Sequence, residues 1–171
     1  MRLRAVGIAG IVACLAALAW YLGSPLFIRT TVYEAPPSAA PVAPVASLTT
    51  VTAAPTAVGP VTLASGELGR VDALHNGTGT VLLVRSEDMA VVRFENVAIT
   101  NAPDVHVYLS PETGGKWSDA TSVYLGPLKA TNGSFNYAVP ASVDLSQARS
   151  VVVWCRQFSV LVTWSDLRSF R

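Results

Sequence analysis

Charge is scarce in this sequence. Of 171 residues, 13% are Asp, Glu, Lys or Arg, about half the share usual in a soluble domain. The 12 basic and 11 acidic residues leave a formal net charge of +1. A chain so near neutrality lacks the basic footprint that a phosphate backbone demands, which argues against a nucleic-acid partner. Cysteine is nearly absent. Cys14 and Cys155 alone exclude a disulfide-stapled scaffold and, within one chain, a four-thiolate zinc or iron–sulfur site. Histidine is equally rare, and neither His75 nor His106 is spaced to pair with a particular serine and carboxylate. No G-x-S-x-G, C-x-x-C, H-E-x-x-H, P-loop or dinucleotide fingerprint occurs. Motifs alone name no reaction.

Hydrophobic residues, by contrast, make up 51% of the chain. An uncharged run, AVGIAGIVACLAALAWYL, extends from Ala5 to Leu22 behind Arg2 and Arg4. Eighteen residues at 1.5 Å each cover roughly 27 Å, enough for a hydrocarbon core with help from the flanks. The preceding arginines keep the N-terminus cytoplasmic, and Trp20 and Tyr21 fall where aromatic rings favour the interface. The expectation is a single-pass anchor over residues 1–23 in the cell membrane, with everything after it extracytoplasmic. Two processed forms compete with it. Ala17-Leu18-Ala19 offers a signal-peptidase site, and Ile11-Val12-Ala13-Cys14 resembles a lipobox. The apolar character of the residues that follow both sites favours the uncleaved anchor.

Residues 24–60 read as a Pro/Ala-rich linker. No charge occurs from Ala35 to Gly66, and Pro36, Pro37, Pro41, Pro44, Pro55 and Pro60 deny the segment a helical or sheet ladder. Such composition favours polyproline II and a semi-rigid spacer.

From Val61 to Arg171 short runs of Val, Thr and aromatics alternate with Gly, Asn, Asp and Pro, the pattern of an all-β domain. Strands are expected near Val61–Leu68, Thr80–Arg85, Ala90–Glu95, Val105–Ser110, Ser122–Leu125, Ser134–Ala138, Ser150–Cys155 and Phe158–Trp164. Asn132-Gly133 is expected to make a hairpin turn, and Asp144 to cap one helical turn. The size suits an antiparallel β-sandwich of about eight strands.

Cys155, His75, His106 and Met89 supply the ligand types of a blue-copper centre, but not its close C-terminal spacing, so copper is disfavoured. Cys155 closes the apolar run VVVWC, where alternation puts Val151, Val153 and Cys155 on one face and Val152, Trp154 and Arg156 on the other. Two readings stay open for it. Free cysteines commonly pack as small hydrophobes, whereas a lone thiol in an exported domain can oxidise or bind a cofactor. Trp117, in the segment TGGKWSD, either covers the edge of the core or joins a contact patch.

The stretches APDVHVYLSP, LGPLKATNGSFNYAVP and VVVWCRQFSVLV resemble the DM-thirteen domain, an extracellular electron-transfer module also found beside DOMON domains. Trp154-Cys155 followed by Phe158 is the strongest element, and His75 before Gly77 and Gly79 is similar to the family's early H…G element. The N-terminal segment looks like that of bacterial single-pass members. Trp164 and Leu68 depart from the pattern, where a glycine and an aromatic are usual. The resemblance implies a redox role for Cys155, as a free thiol or as a ligand to a group such as haem, with a redox partner protein. The competing expectation is a non-catalytic envelope-binding or scaffold domain displayed on the Pro/Ala spacer, and neither reading requires a stand-alone enzyme.

Overall fold

Runs rich in β-branched residues, cut by Gly, Pro and Asn, pair into two sheets. The structure, a computed structural model, describes residues 2–24, 28–37, 59–86 and 89–170. One helix, α1 (Arg2–Gly23), precedes the strands β1 (Thr31–Tyr33), β2 (Val61–Glu67), β3 (Gly77–Ser86), β4 (Met89–Ile99) and β5 (Val105–Ser110). These are followed by β6 (Val123–Pro127), β7 (Asn132–Val139), β8 (Ser150–Cys155), β9 (Val160–Asp166) and β10 (Arg168–Ser169). A six-stranded sheet runs β1-β7-β4-β3-β2-β10, and a four-stranded sheet runs β6-β5-β8-β9. The chain passes from one sheet to the other between β9 and β10, through Leu167, which closes one side of the sandwich.

Alternation decides what fills the space between the sheets. Val81, Leu83, Val92, Phe94, Phe135 and Tyr137 come from the larger sheet, and Val105, Val107, Leu109, Val151, Val153 and Cys155 from the smaller. Phe94 stacks on Phe135 at 5.1 Å between ring centroids, and Tyr137 meets Phe94 edge-on. Such pairs are worth about 1 kcal/mol each beyond the area they bury. Asp144 caps a single 3-10 turn, Leu145–Gln147, by accepting from the Ser146 amide at 2.9 Å.

Among the described residues ten strands stand where about eight were expected. The two additions, β1 and β10, span three and two residues, too few for a period of two to register. β1 also breaks the antiparallel expectation, because it pairs parallel with β7. It lies inside the segment read as linker. Residues 28–37 are tied to the sheet by side chains that sequence alone does not connect. Glu34 pairs with Lys129 at 2.8 Å and accepts from the Asn136 amide at 2.7 Å. The hydrogen bond from Lys129 holds the Glu34 carboxyl below its ordinary pKa. The buried Arg93 guanidinium donates to the carbonyls of Glu34 and Ala35, each at 3.2 Å. The Pro-rich stretch that follows lies outside the described residues.

Asn132-Gly133 is not a hairpin turn. It opens β7, and Gly133 has φ +110° because the Val32 carbonyl of β1 lies where a Cβ would stand. The glycine serves close approach of a neighbouring backbone rather than chain reversal.

Helix α1 is apolar on every side that the described residues present, with Ile11, Val12, Leu15 and Leu18 all exposed. Among the described residues no helix is long and apolar enough to cross a membrane. The anchor therefore stands on the sequence alone.

Candidate functional site

Cys155 ends β8 with its side chain turned inward, opposite Val105 of β5 and Val160 of β9. It is 0% exposed. Its thiol donates to the Pro103 carbonyl at 2.8 Å. A thiolate is what makes cysteine a nucleophile or a ligand, and a carbonyl cannot take the proton needed to form one. Both Cys14 and Cys155 are free. Arg156 does not approach the sulfur. Its side chain lies on the outer face, where Nε donates to the Tyr108 hydroxyl at 2.6 Å, a contact that raises the guanidinium pKa further.

A haem does not fit this environment. The sulfur is enclosed by the core and engaged by a carbonyl. The cavity of about 270 Å³ beside this segment is lined by Asp104, Val105 and His106, not by Cys155. That volume also falls below the roughly 300–1,000 Å³ of sites that bury a drug-sized ligand.

The other ligand types lie apart. His75 sits in the loop before β3, where its Nδ1 meets Asp72 at 2.7 Å. The Asp72 carboxyl also accepts from the amides of Leu74 and His75. The side-chain bond from His75, with those amides, lowers its pKa to about 2. Met89 is exposed at the start of β4 in the larger sheet. Among the described residues no three His, Cys, Asp or Glu side chains are grouped to hold a metal ion.

What the fold does assemble is on the outer face of the smaller sheet. Alternation sends His106 and Tyr108 of β5 and Trp154 of β8 outward, yet all of β5 is buried. The segment after β5 folds back and lays Trp117 over that face. Trp117 meets Tyr108 at 4.1 Å and Trp154 at 5.2 Å between ring centroids. Tyr108 meets Tyr124 of β6 at 5.4 Å, and Tyr124 meets the His106 ring at 5.5 Å. The Arg156 guanidinium lies 4.6 Å from the Tyr124 centroid and 5.5 Å from that of Tyr108. The result is a continuous row of oxidisable rings, beginning on the residue next to Cys155 and ending at a Tyr124 ring that is 45% exposed.

Trp117 thus covers a sheet face, although not the edge of the main core. The row itself escaped sequence reasoning, because its members come from three strands and a loop. One signal was present. Asp104, His106 and Tyr108 alternate with Val105 and Val107, which marks one polar-aromatic face on a strand too apolar to be an exposed edge.

A two-sheet β-sandwich carrying a buried cysteine and a packed aromatic outer face is the class of domain these features define. The family model described as "Electron transfer DM13" matches residues 70–165. The chain belongs to the DM13 family, and the match gives it an electron-transfer-related role. No curated protein and no solved structure matches the chain.

Proposed function

We propose that the chain is a membrane-tethered, extracytoplasmic electron-transfer module. Its electrons travel along the aromatic row rather than through the Cys155 sulfur, and it delivers them to or takes them from a redox partner protein. The observation that carries this reading is the contact series Trp154–Trp117–Tyr108–Tyr124, with centroid separations of 5.2, 4.1 and 5.4 Å. Tunnelling falls off exponentially with distance, so rings in van der Waals contact pass an oxidising equivalent by short hops. Indole and phenol are among the side chains most easily oxidised by one electron. Cys155 has the packing role of a buried small hydrophobe. It fixes the strand end that sets Trp154 in place, and its thiol has no base to relieve it of a proton.

The tether rests on the uncharged run from Ala5 to Leu22, on Arg2 and Arg4 before it, and on an apolar helix whose described side chains are exposed. A scaffold displayed on a long spacer is the competing account. Docking of β1 takes away the reach that favoured it.

Flash oxidation of the full-length chain in detergent by photogenerated ruthenium(III) tris-bipyridine tests the reading. A tryptophan radical should form and decay at the rate at which a tyrosine radical appears. Trp117→Leu, which removes the bridge between Tyr108 and Trp154, should slow that conversion at least tenfold. Equal rates in the two proteins, or a tryptophan radical that never converts, would refute the proposal.

A further inference from the structure

The geometry points to Tyr124 as a proton-coupled redox site, with His106 as its proton acceptor and Asp104 as the positioning residue behind it. This rests on the electron-transfer reading above and specifies where the aromatic row ends. His106 Nε2 lies 2.6 Å from an Asp104 carboxylate oxygen, and Nδ1 lies 2.8 Å from the Tyr124 hydroxyl. A carboxylate only accepts, so Nε2 carries the hydrogen. In a neutral imidazole that leaves Nδ1 as the acceptor, and Tyr124 donates to it.

The redox step then balances. Tyr124 gives one electron to a high-potential one-electron oxidant and its phenolic proton to His106 Nδ1. A neutral phenoxyl radical and an imidazolium paired with Asp104 result, and re-reduction returns the proton to the oxygen. The groups around the ring favour this route over simple electron loss. The Arg156 cation lies over both Tyr124 and Tyr108 and opposes a positive hole on either. Removal of the proton relieves that opposition. Tyr108 has no such escape, because its hydroxyl accepts from Arg156 and meets no base among the described residues. His106 is 9% exposed and Tyr124 45%. The base is sheltered while the ring faces a partner.

The full chain in detergent, oxidised by the same ruthenium(III) complex, provides the test, with Tyr21→Phe and Tyr33→Phe as controls for the other exposed tyrosines. Wild type, Tyr21→Phe and Tyr33→Phe should each give a neutral phenoxyl EPR signal that falls at least tenfold in Tyr124→Phe. His106→Gln should slow phenoxyl formation at least tenfold and change its solvent deuterium effect. Asp104→Asn, which keeps a residue tolerant of the φ of 55° found there, should slow it by a smaller factor. Undiminished phenoxyl in Tyr124→Phe, or an unchanged rate and isotope effect in His106→Gln, would overturn the assignment. If a tryptophan radical still drains into a different tyrosine, the aromatic row stands and only the Tyr124 assignment falls. If no radical is passed on, the row falls as well.

Discussion

A thiol reagent applied to the full chain should find Cys155 almost inert. The perturbation is made in a Cys14→Ser background, so that Cys155 is the one thiol left to react. The expected magnitude follows from where the sulfur lies. Cys155 is 0% exposed, and β8 is held by β5 on one side and β9 on the other. Reaching the thiol means parting an interior strand from a neighbour, and core strands open at free energies close to that of global unfolding. At the low end of domain stability, about 5 kcal/mol, native reactivity is suppressed about 5,000-fold relative to the unfolded chain. Chromogenic disulfide exchange, followed in buffer and then in denaturant, reads that ratio directly. In parallel, Cys155→Ala should cost about 1–2 kcal/mol through the lost thiol contact and a small cavity, yet leave the radical transfer along the aromatic row intact. Native labelling within tenfold of the unfolded rate would refute the reasoning and restore the sulfur as the reactive centre.

Three further outcomes are expected. Arg93→Met should destabilise the protein by about 2–3 kcal/mol, because it removes the guanidinium donor to the Glu34 carbonyl and Asn136 Oδ1 and leaves the Ala35 carbonyl only the Asn136 amide. Limited proteolysis should then cut within residues 28–37, and an uncut segment would contradict the docking. Gly133→Ala should release the same segment from the opposite direction, since its Cβ would meet the Val32 carbonyl at a φ that L side chains rarely adopt. A cost of at least about 2 kcal/mol is expected on denaturant titration. Asp72, held at about 2 by its hydrogen bonds, contributes stability above its unfolded value of 3.8 that is lost as pH falls through 2. His75→Gln should raise its NMR titration midpoint part of the way back, because the amides of Leu74 and His75 still donate. No movement would mean that the His75 ring is not the cause.

The β-sandwich was legible because its interior strands alternate. Val105–Ser110 and Ser150–Cys155 appear in the structure with the limits their sequence pattern suggests. Alternation also put Cys155 and Trp154 on opposite faces, and the structure turns Cys155 inward. The pattern could not say whether the outward face was wet, and here the answer lay in a loop. Trp117 is separated from Trp154 by β6, by β7 of the larger sheet and by most of β8, and only the fold reveals that it covers Tyr108. The His106–Tyr124 bond was hidden for the same reason, since β5 and β6 are joined by a segment with no regular period. Asn132-Gly133 misled because glycine in a strand can answer a neighbour's backbone as well as a turn, and that neighbour, β1, is only three residues long. Copper-type ligands were present as types, but the fold sends Cys155 inward, His106 outward and Met89 to the other sheet.

The seating of β1 changes how far this domain can travel. Had the chain been free up to residue 60, a polyproline lanyard of 37 residues would have let the sandwich swing through roughly 115 Å. With residues 28–37 already tied to the larger sheet, only four residues separate the end of α1 from the docked segment, a chain length of about 14 Å at full stretch. The proline-rich stretch leaves the sheet beside β7 and rejoins it at β2, outside the load path between helix and domain. On the proposed anchor, a partner would have to come to the bilayer surface to meet Tyr124.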